Sequence, residues 1–240
     1  MISIVTGTLN RANLLPNLIK NTVDSCNFLE LILVDGGSND GTIEYIKNLK
    51  HSKIKLIEVG KRSNYAHFMN LGILNSSFEL ICQWNDDVLL VNDWSDIINE
   101  IDENYDFYLF NWKYGNLSDI TNDDWLSGNN HPNQNNKGWC IFDDYQNSGE
   151  IVMNYGIYNK KIFRKIGMYN PEFNYYYADG DMSRRAFLFG YRYKKLPHIK
   201  VCSLDTEKRA TYDDYGLNIY TRCHEEYKIK FLNKNIEILL

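Results

Sequence analysis

Residues 29–42 have the sequence LELILVDGGSNDGT. The residues from Leu29 to Val34 are nearly all apolar, which is typical of a short strand that is covered on both faces of a parallel sheet. The polar stretch from Asp35 to Thr42 contains three glycines and ends where a helix can begin. This order of strand, loop and helix predicts one unit of an α/β fold.

The same order of elements recurs across the first hundred residues of the chain. Short apolar runs predict strands, and the segments between them have helical spacing, so the sequence predicts a mostly parallel central sheet flanked by helices. The predicted strands are Ile2 to Thr6, Leu29 to Asp35, Ile54 to Val59 and Phe78 to Trp84, and the predicted helices run from a cap at Asn13, from near Asp40, and from Ser63 to Leu74.

The second half of the chain is less regular. Periodicity fails from Asn111 to Glu150, and so long a stretch is expected to form a binding loop, because structureless connections rarely exceed about 15 residues. Regular structure is predicted again from Ile151 to Tyr158 and, as an amphipathic segment, from Asp181 to Phe189. Residues 216–240 are predicted to form a C-terminal helix, and the 240 residues are expected to form one domain.

The composition excludes several classes of protein. With 44% hydrophobic residues the chain can bury a sizeable core, and its net charge of −5 argues against a nucleic-acid partner. No apolar run approaches the ~20 residues that span a bilayer, so no integral membrane segment is expected. The five cysteines are scattered, and the chain opens MISIV without a basic or long apolar leader, so a cytoplasmic protein is expected.

Polar loops follow the predicted strands at the edge where open parallel sheets bind ligands. They run from Thr6 to Arg11, from Asp35 to Thr42 and from Asn85 to Asp87. Their glycines permit close approach of a ligand, and the Asp35 carboxylate can accept a hydrogen bond from a base or ribose. The loops predict a nucleotide site, although the second would by itself also serve as a turn and helix cap. Arg62 follows the third strand and could reach a diphosphate or lie in a solvated turn.

Two adjacent carboxylates, Asp86 and Asp87, follow the fourth predicted strand. They repel each other unless a cation neutralises them, and Mg²⁺ or Mn²⁺ prefers such oxygen ligands together with substrate phosphates. A cation in that position would stabilise a departing diphosphate. The alternative is that the pair caps a helix following Val88.

Four motifs together resemble the family 2 glycosyltransferases, which have the GT-A nucleotide-sugar fold. The opening SIVTGTLNR is similar to the family's first strand and loop, and VDGGSNDGT is similar to its nucleotide loop. The NDD at 85–87 stands in the position of the family's D-x-D metal motif, with an amide for the first carboxylate. YADGDMSRR at 177–185, followed by GY at 190–191, resembles the acceptor-side motif.

This resemblance implies an inverting transfer of a sugar from a UDP, GDP or dTDP sugar to a hydroxyl of a glycan or lipid-linked glycan, as in polysaccharide biosynthesis. It implies a Rossmann-like GT-A sheet with a small antiparallel portion on the acceptor side. Residues 1–104 would bind the nucleotide sugar and residues 105–215 the acceptor. Peripheral contact with the inner membrane face is compatible with such a protein.

The resemblance also implies roles on the donor side. Asp87 would ligate Mn²⁺ or Mg²⁺, and Asp86 or Asn85 would face the ribose or a water on that metal. The residues expected around the donor, from position or resemblance, are Thr6, Gly7, Thr8, Asp35, Arg62, Asn85 and Asp86.

On the acceptor side, Asp179 matches the family's general base, which removes the proton from the acceptor hydroxyl as it attacks the anomeric carbon. Ala178 replaces the first acid of the family's pair, so Asp181 competes for the role, although it fits a more structural Asp at a helix start. Many members of the family carry a His that binds the metal or the diphosphate, and its aligned place here is near Ser203. His198 or Asp205 is a candidate to substitute for it, and the alternative for His198 is an ordinary surface or core residue.

Two alternatives stay open. The Asn85 amide and the Ala178 side chain are compatible with a non-catalytic glycan- or nucleotide-binding module that keeps the fold. A nucleotidyltransferase is a weaker match, since it would place a basic, Gly-rich phosphate loop after the first strand. Candidate acceptor or lid residues are Tyr175, Tyr176, Tyr177, Trp112, Trp125 and Trp139, and candidates to brace the base or the pyrophosphate are Arg184 and Arg185.

Overall fold

The structure is a computed structural model that describes residues 1–118, 153–173 and 178–204. Strands and helices alternate through most of the first of these ranges. The strands are β1 (Ile2–Thr8), β2 (Leu29–Asp35), β3 (Ile54–Glu58), β4 (Leu80–Gln83), β5 (Val88–Leu90), β6 (Phe107–Tyr114), β7 (Gly156–Asn159) and β8 (Tyr193–Ser203). The helices are α1 (Leu15–Asn21), α2 (Thr42–Leu49), α3 (Tyr65–Leu74), α4 (Trp94–Glu100), α5 (Lys160–Ile166) and α6 (Ala178–Leu188).

The described strands form one sheet in the order β3-β2-β1-β4-β7-β6-β8-β5. β1 pairs in parallel with β2 and β4, and β2 pairs in parallel with β3. β7 pairs antiparallel with β4 and β6, β8 is parallel to β6, and β5 is antiparallel to β8. The predicted α/β fold, with a mostly parallel sheet and a smaller antiparallel portion, is confirmed.

Alternate residues of the central strands face opposite layers of helices. Ile4 of β1 packs in the same apolar cluster as Leu18 of α1, whereas the next residue, Val5, packs with Met69 of α3 and Met182 of α6. Every residue of β2 is buried, which explains its almost continuous apolar sequence. Each of these buried aliphatic side chains contributes about 1.5–3 kcal/mol to folding.

Helix α3 lies very close to β1 because Gly72 has no side chain. A Cβ at this position would lie 2.2 Å from Val5 Cγ1, well inside van der Waals contact. At the other end of the helix, the Asn64 side chain caps the first turn by accepting a hydrogen bond from the His67 backbone N (2.8 Å). The packing holds the start of α3 beside the carboxyl end of β1.

Strand β6 continues where the sequence predicted a loop. Regular structure was expected to stop at Asn111, and this is wrong, because residues from Asn111 to Tyr114 pair in parallel with Lys200 to Ser203 after a register shift. The partner strand lies far along the chain, so no local pattern signals the pairing. The remainder of the predicted loop, from residue 119 onward, lies outside the described residues.

Some element boundaries also differ from the predictions. α1 begins at Leu15 rather than next to Asn13, and Leu14 at its start makes no side-chain cap bond. β7 begins at Gly156, so the described residues from Met153 to Tyr155 precede it, and Ile151 lies outside the described residues. These shifts leave the order of elements unchanged.

Several predicted features lie outside the described residues. They are Trp125, Trp139, the three tyrosines at 175–177, Asp205 and the C-terminal helix at 216–240. Among the helices of the described ranges, none is long and apolar enough to cross a membrane.

Candidate active site

The loop after β1 and the loop after β2 are joined by hydrogen bonds at the carboxyl edge of the sheet. Each bond pairs a backbone N–H of one loop with a side-chain oxygen of the other, so the two loops hold each other in shape without a ligand. The bonds are Asn10 N to Ser38 Oγ (2.8 Å), Asn39 N to Asn10 Oδ1 (2.9 Å), Arg11 N to Thr42 Oγ1 (2.9 Å) and Ala12 N to Asp40 Oδ2 (3.1 Å).

Asp35 is fully buried at the end of β2. Its Oδ1 accepts from the backbone N–H groups of Gly37 (2.8 Å) and Ser38 (2.9 Å), and its Oδ2 accepts from the Ser38 hydroxyl. The carboxylate therefore shapes the loop, and its contact with a nucleoside stays a prediction. Arg62 is exposed. It lies beside this loop, because a Cβ on Gly36 would lie 3.5 Å from the Arg62 Cα.

The residues at the end of β1 contact protein groups around the predicted donor site. The Thr6 hydroxyl donates to the Gly7 carbonyl (3.0 Å), and a Cβ on Gly7 would lie 2.7 Å from the Phe68 ring, so Gly7 makes room for α3. Thr8 Oγ1 is buried and makes no hydrogen bond of ordinary geometry within the described part of the chain. It nevertheless lies close enough to Asp86 to help lower that carboxyl's pKa.

Asp86 and Asp87 lie in a partly buried loop between β4 and β5. Burial raises the pKa of Asp86 to about 7, and the neighbouring Asp87 adds to the rise, whereas Arg11 and Thr8 act against it. Arg11 Nε lies 3.5 Å from Asp86 Oδ1, with only 14% and 12% of the two side chains exposed. Arg11 and Thr8 leave the pKa of Asp86 raised, so a cation beside this carboxyl would favour its ionised form. The pair caps no helix, because the following Val88–Leu90 segment is a strand.

The main chain of Asp87 is fixed by the end of β8. Leu204 N donates to the Asp87 carbonyl (2.8 Å), and Val88 pairs with Ser203. Leu204 therefore lies beside Asp87, and Asp205 lies outside the described residues. His198 instead pairs with Glu100 (3.1 Å) and is separated from Ser203 by about 16 Å of strand.

The donor set suits a hard divalent cation. Within residues 1–118, 153–173 and 178–204 no group of three or more His, Cys, Asp or Glu side chains is placed to hold a metal. Mg²⁺ and Mn²⁺ need no such cage, because one or two carboxylates and the substrate phosphates suffice. Asp87 and the desolvated Asp86 offer oxygen ligands of this kind.

A chain of side chains leads from this loop to α6. Asn85 Nδ2 donates to the Tyr155 hydroxyl (3.1 Å), and the Tyr155 ring packs edge to face with the Trp112 ring at 5.4 Å. With the Asn154 amide assigned the orientation that satisfies both of its neighbours, the Trp112 indole donates to the amide oxygen (3.0 Å) and the amide nitrogen donates to Asp179 Oδ2 (2.8 Å). The structure thereby brings Asn85 and Asp179 to the two ends of one contact network.

Asp179 is the available carboxylate at the start of α6. It is partly buried, burial raises its pKa, and its Oδ1 accepts from Gly180 N (2.9 Å). Asp181 is fully buried and paired with Arg185, whose Nε lies 3.0 Å from Asp181 Oδ2. Arg185 also donates to the Ile166 carbonyl (2.7 Å), so Asp181 and Arg185 together tie α6 to the end of α5.

Two residues of the network, Asn154 and Tyr155, were not predicted as site residues. Both precede β7, in a segment for which only regular structure was predicted, and neither has a neighbouring motif. Their role depends on partners far along the chain: Trp112 on β6, and Asp179 on α6. Trp112 was expected on the acceptor side, and the structure places it next to both residues.

Solved structures share this architecture at low sequence identity. The mannosyltransferase PcManGT from Pyrobaculum calidifontis, in complex with GDP-Man and Mn²⁺, matches with a TM-score of 0.66 and 13% identity over 98% of this chain and 65% of that one. S. aureus TarS matches at 0.67 and 14% over 98% of this chain and 40% of that one. TarS 1–349 in complex with UDP matches at 0.63 and 15%, with 98% and 67% covered.

These likenesses show a fold of the GT-A glycosyltransferase class, and the chain spans only 65% and 40% of the first two proteins. Residues 3–167, more than half of the chain, match the family described as Glycosyl transferase family 2. The chain belongs to this family. A search of curated proteins finds no match.

Proposed function

We propose that the protein is an inverting glycosyltransferase in which Asp179 activates a hydroxyl of the acceptor. The observation that carries the proposal is the setting of Asp179: it is partly exposed, burial raises its pKa, and it is joined through Asn154, Trp112 and Tyr155 to the loop of Asn85. A carboxyl with a raised pKa is a better general base near neutral pH than an ordinary one.

In the proposed reaction the acceptor oxygen attacks the anomeric carbon while its proton passes to an oxygen of Asp179. The bond between that carbon and the nucleoside diphosphate breaks on the opposite face. A single displacement of this kind inverts the configuration of the anomeric carbon. Asp181 is unsuited to the role, because it is buried and already paired with Arg185.

The donor would lie across the loops at the carboxyl edge of the sheet. Asp87, with Asp86 beside it, would hold Mn²⁺ or Mg²⁺, and a cation bound there would supply positive charge to the leaving diphosphate. The proposed donor is a UDP, GDP or dTDP sugar, and the description of PcManGT with GDP-Man and Mn²⁺ and of TarS 1–349 with UDP supports the first two. The backbone from Thr6 to Thr8, with Asp35, Arg62 and Asn85, would surround it.

The acceptor would be a glycan or a lipid-linked glycan, with a hydroxyl directed at Asp179. A cytoplasmic setting, with peripheral contact at a membrane, is part of the proposal. It is supported by the free thiols among the described residues at Cys26, Cys82 and Cys202, because reducing compartments keep thiols unpaired.

The test is Asp179→Asn, which keeps the size of the side chain and removes the base. We expect kcat to fall by about 10²- to 10⁴-fold, the usual contribution of a general base, with donor affinity unchanged. Released nucleoside diphosphate would be measured with a panel of UDP, GDP and dTDP sugars, Mn²⁺ and candidate glycans. Asp24→Asn, at an exposed ion pair with His51, is the control and should keep the full rate.

Two results would overturn the proposal. Full turnover by Asp179→Asn would exclude that residue as the base. Binding of a nucleotide sugar by the wild-type protein without turnover across the panel would favour the non-catalytic module. That alternative draws support from Ala178, which is 1% exposed in an apolar cluster where the family carries an acid.

A further inference from the structure

The Asn154 amide lies between two groups that each make one kind of hydrogen bond. The Trp112 indole nitrogen only donates, and an ionised carboxylate such as that of Asp179 only accepts. The amide oxygen therefore faces Trp112 Nε1 (3.0 Å), and the amide nitrogen faces Asp179 Oδ2 (2.8 Å). The opposite orientation would set donor against donor and acceptor against acceptor, so Trp112 determines that an N–H group reaches Asp179.

The backbone around Asn154 is fixed relative to Asp179. Gln83 Nε2 donates to the Met153 carbonyl (2.9 Å) and to the Asn154 carbonyl (2.7 Å), which anchors this segment on β4. Met153 N donates to Ser183 Oγ (3.2 Å), and Ser183 Oγ donates to the Asp179 carbonyl (2.8 Å). The side-chain bond between Asn154 and Asp179 thus spans two backbones that are already joined.

The Trp112 ring is in turn held by packing. It meets the Tyr155 ring at 5.4 Å with an interplanar angle of 83°, and the Tyr155 ring meets Trp84 at 5.7 Å. Such edge-to-face pairs contribute beyond simple burial and restrict ring rotation. The orientation of the Asn154 amide is therefore imposed by a packed aromatic cluster on the side of the sheet that carries Asn85.

We propose that Asn154 is a positioning residue for the acceptor-side base. Its N–H group fixes the side-chain rotamer of Asp179 and stabilises the ionised form, which leaves the remaining carboxylate lone pairs free to accept the acceptor's proton. The inference rests on the proposed role of Asp179.

Other groups near Asp179 do not supply this stabilisation. The hydroxyls of Tyr65 on α3, Tyr158 on β7 and Tyr169 after α5 lie near enough to feel its charge, and all three are neutral at ordinary pH. Along α6 the charges of Asp181 and Arg185 are paired with each other. The described donors to this carboxylate include the backbone N–H groups of Asp179 and Gly180, and the Asn154 amide is the side-chain donor described beside them.

The experiment compares Asn154→Ala and the isosteric Asn154→Asp with wild type in the pH profile of kcat/KM. Loss of the donor raises the pKa of Asp179, so the acidic limb of the profile should move to higher pH by about one unit in the Ala variant. The Asp variant should move further, because a second carboxylate repels the first. Trp112→Phe, which frees the amide to rotate, should give a smaller shift in the same direction.

A second readout needs no turnover. The pKa of the Asp179 carboxyl would be followed by ¹³C NMR, with its signal identified by its loss in Asp179→Asn, and should rise in step with the kinetic limb. Asn21→Ala is the matched control: its amide also bonds on both sides, to the Leu90 carbonyl (2.9 Å) and the Leu90 N (2.7 Å), so stability should fall without a pH shift.

The inference would be overturned if folded Asn154→Asp showed the wild-type acidic limb in its pH profile and the wild-type pKa of Asp179 by NMR. If the Ala variant does not fold, the Asp variant is sufficient for the test. A role in folding only would lower kcat equally at every pH. If the NMR pKa rises while Asp179→Asn keeps full turnover, the proposed base fails, and the hydrogen bond from Asn154 to Asp179 stands.

Discussion

Asp86 combines a buried setting with a like charge next to it in sequence. Burial, with the charge of Asp87, raises its pKa to about 7, because the guanidinium of Arg11 offsets only part of the rise. The folded protein therefore binds a proton at this carboxyl over a pH range in which the unfolded chain, with an ordinary pKa of about 3.9, has lost it.

The contribution of Asp86 to the free energy of unfolding of the metal-free protein should fall as the pH rises from about 4 to about 7. In that range the native state binds more protons at this carboxyl than the unfolded state does. We expect Asp86→Asn to lack this component, so in EDTA its Tm should drop less than that of wild type between pH 5 and pH 7.5. Scanning calorimetry at several pH values measures the difference.

Asp93→Asn is the control for this pH effect. Hydrogen bonds from the backbone and side chain of Ser95 lower the Asp93 pKa, so its own contribution to stability changes only at more acidic pH. Equal slopes for wild type and Asp86→Asn would contradict the assignment of the raised pKa to Asp86.

Some properties of single site residues were predicted from the sequence, and others were not. Asp181 is buried and paired with Arg185 four residues later, as a structural Asp at a helix start would be, and the role of Asp179 as base stays a prediction. Asn154 has no such local signal, because its partners come from β6 and α6. For Asp35 the sequence predicted the loop correctly. It did not reveal that the carboxylate accepts hydrogen bonds from Gly37 N and Ser38 N within that loop.

Among the elements, α3 and β1 approach each other closely at Gly72. Gly72→Ala places a methyl group 2.2 Å from Val5 Cγ1, so the helix must shift or β1 must move. Overpacking of this kind costs about 1–3 kcal/mol, and we expect a loss of that size in the free energy of unfolding, measured in urea. Leu74→Ala at an exposed site of the same helix should have little effect.

A double variant tests the cause of that loss. Val5→Ala removes the atom that the new methyl group would meet, so Gly72→Ala with Val5→Ala should be more stable than the sum of the two single effects predicts. Simple additivity would show that the close approach is not responsible.

The elements were predicted well where their sequence pattern is local. β2 runs from Leu29 to Asp35 as expected, because a strand buried on both faces needs a continuous apolar run. The end of β6 was missed, because the residues from Asn111 to Tyr114 become a strand only when β8 lies beside them. These four residues mix polar and aromatic side chains, so their local periodicity does not indicate a strand.

At the scale of the whole molecule, the three loops at the carboxyl edge should couple ligand binding to stability. We expect UDP or GDP together with Mn²⁺ to raise the Tm by about 5 to 10 °C at a hundredfold excess over Kd, since such binding adds about 2.7 kcal/mol to the folded state. Differential scanning fluorimetry with each nucleotide would measure the shift and indicate the preferred base.

Asp87→Asn separates the metal from the nucleotide in this measurement. The variant should lose the increment that Mn²⁺ adds and keep whatever stabilisation the nucleotide gives alone. An unchanged response to Mn²⁺ would exclude Asp87 as a metal ligand.

The bond from Leu204 to Asp87 also bears on the order in which the protein is built on the ribosome. Strands β1 to β4 can pair as soon as they emerge, but β5, at the edge of the sheet, pairs only with β8 among the described strands. Its partner residues, Val201 to Ser203, are translated more than a hundred residues later. The loop of Asp86 and Asp87 therefore gains its lasting main-chain support late in synthesis, and a nascent chain holds most of the sheet before it holds a finished donor site.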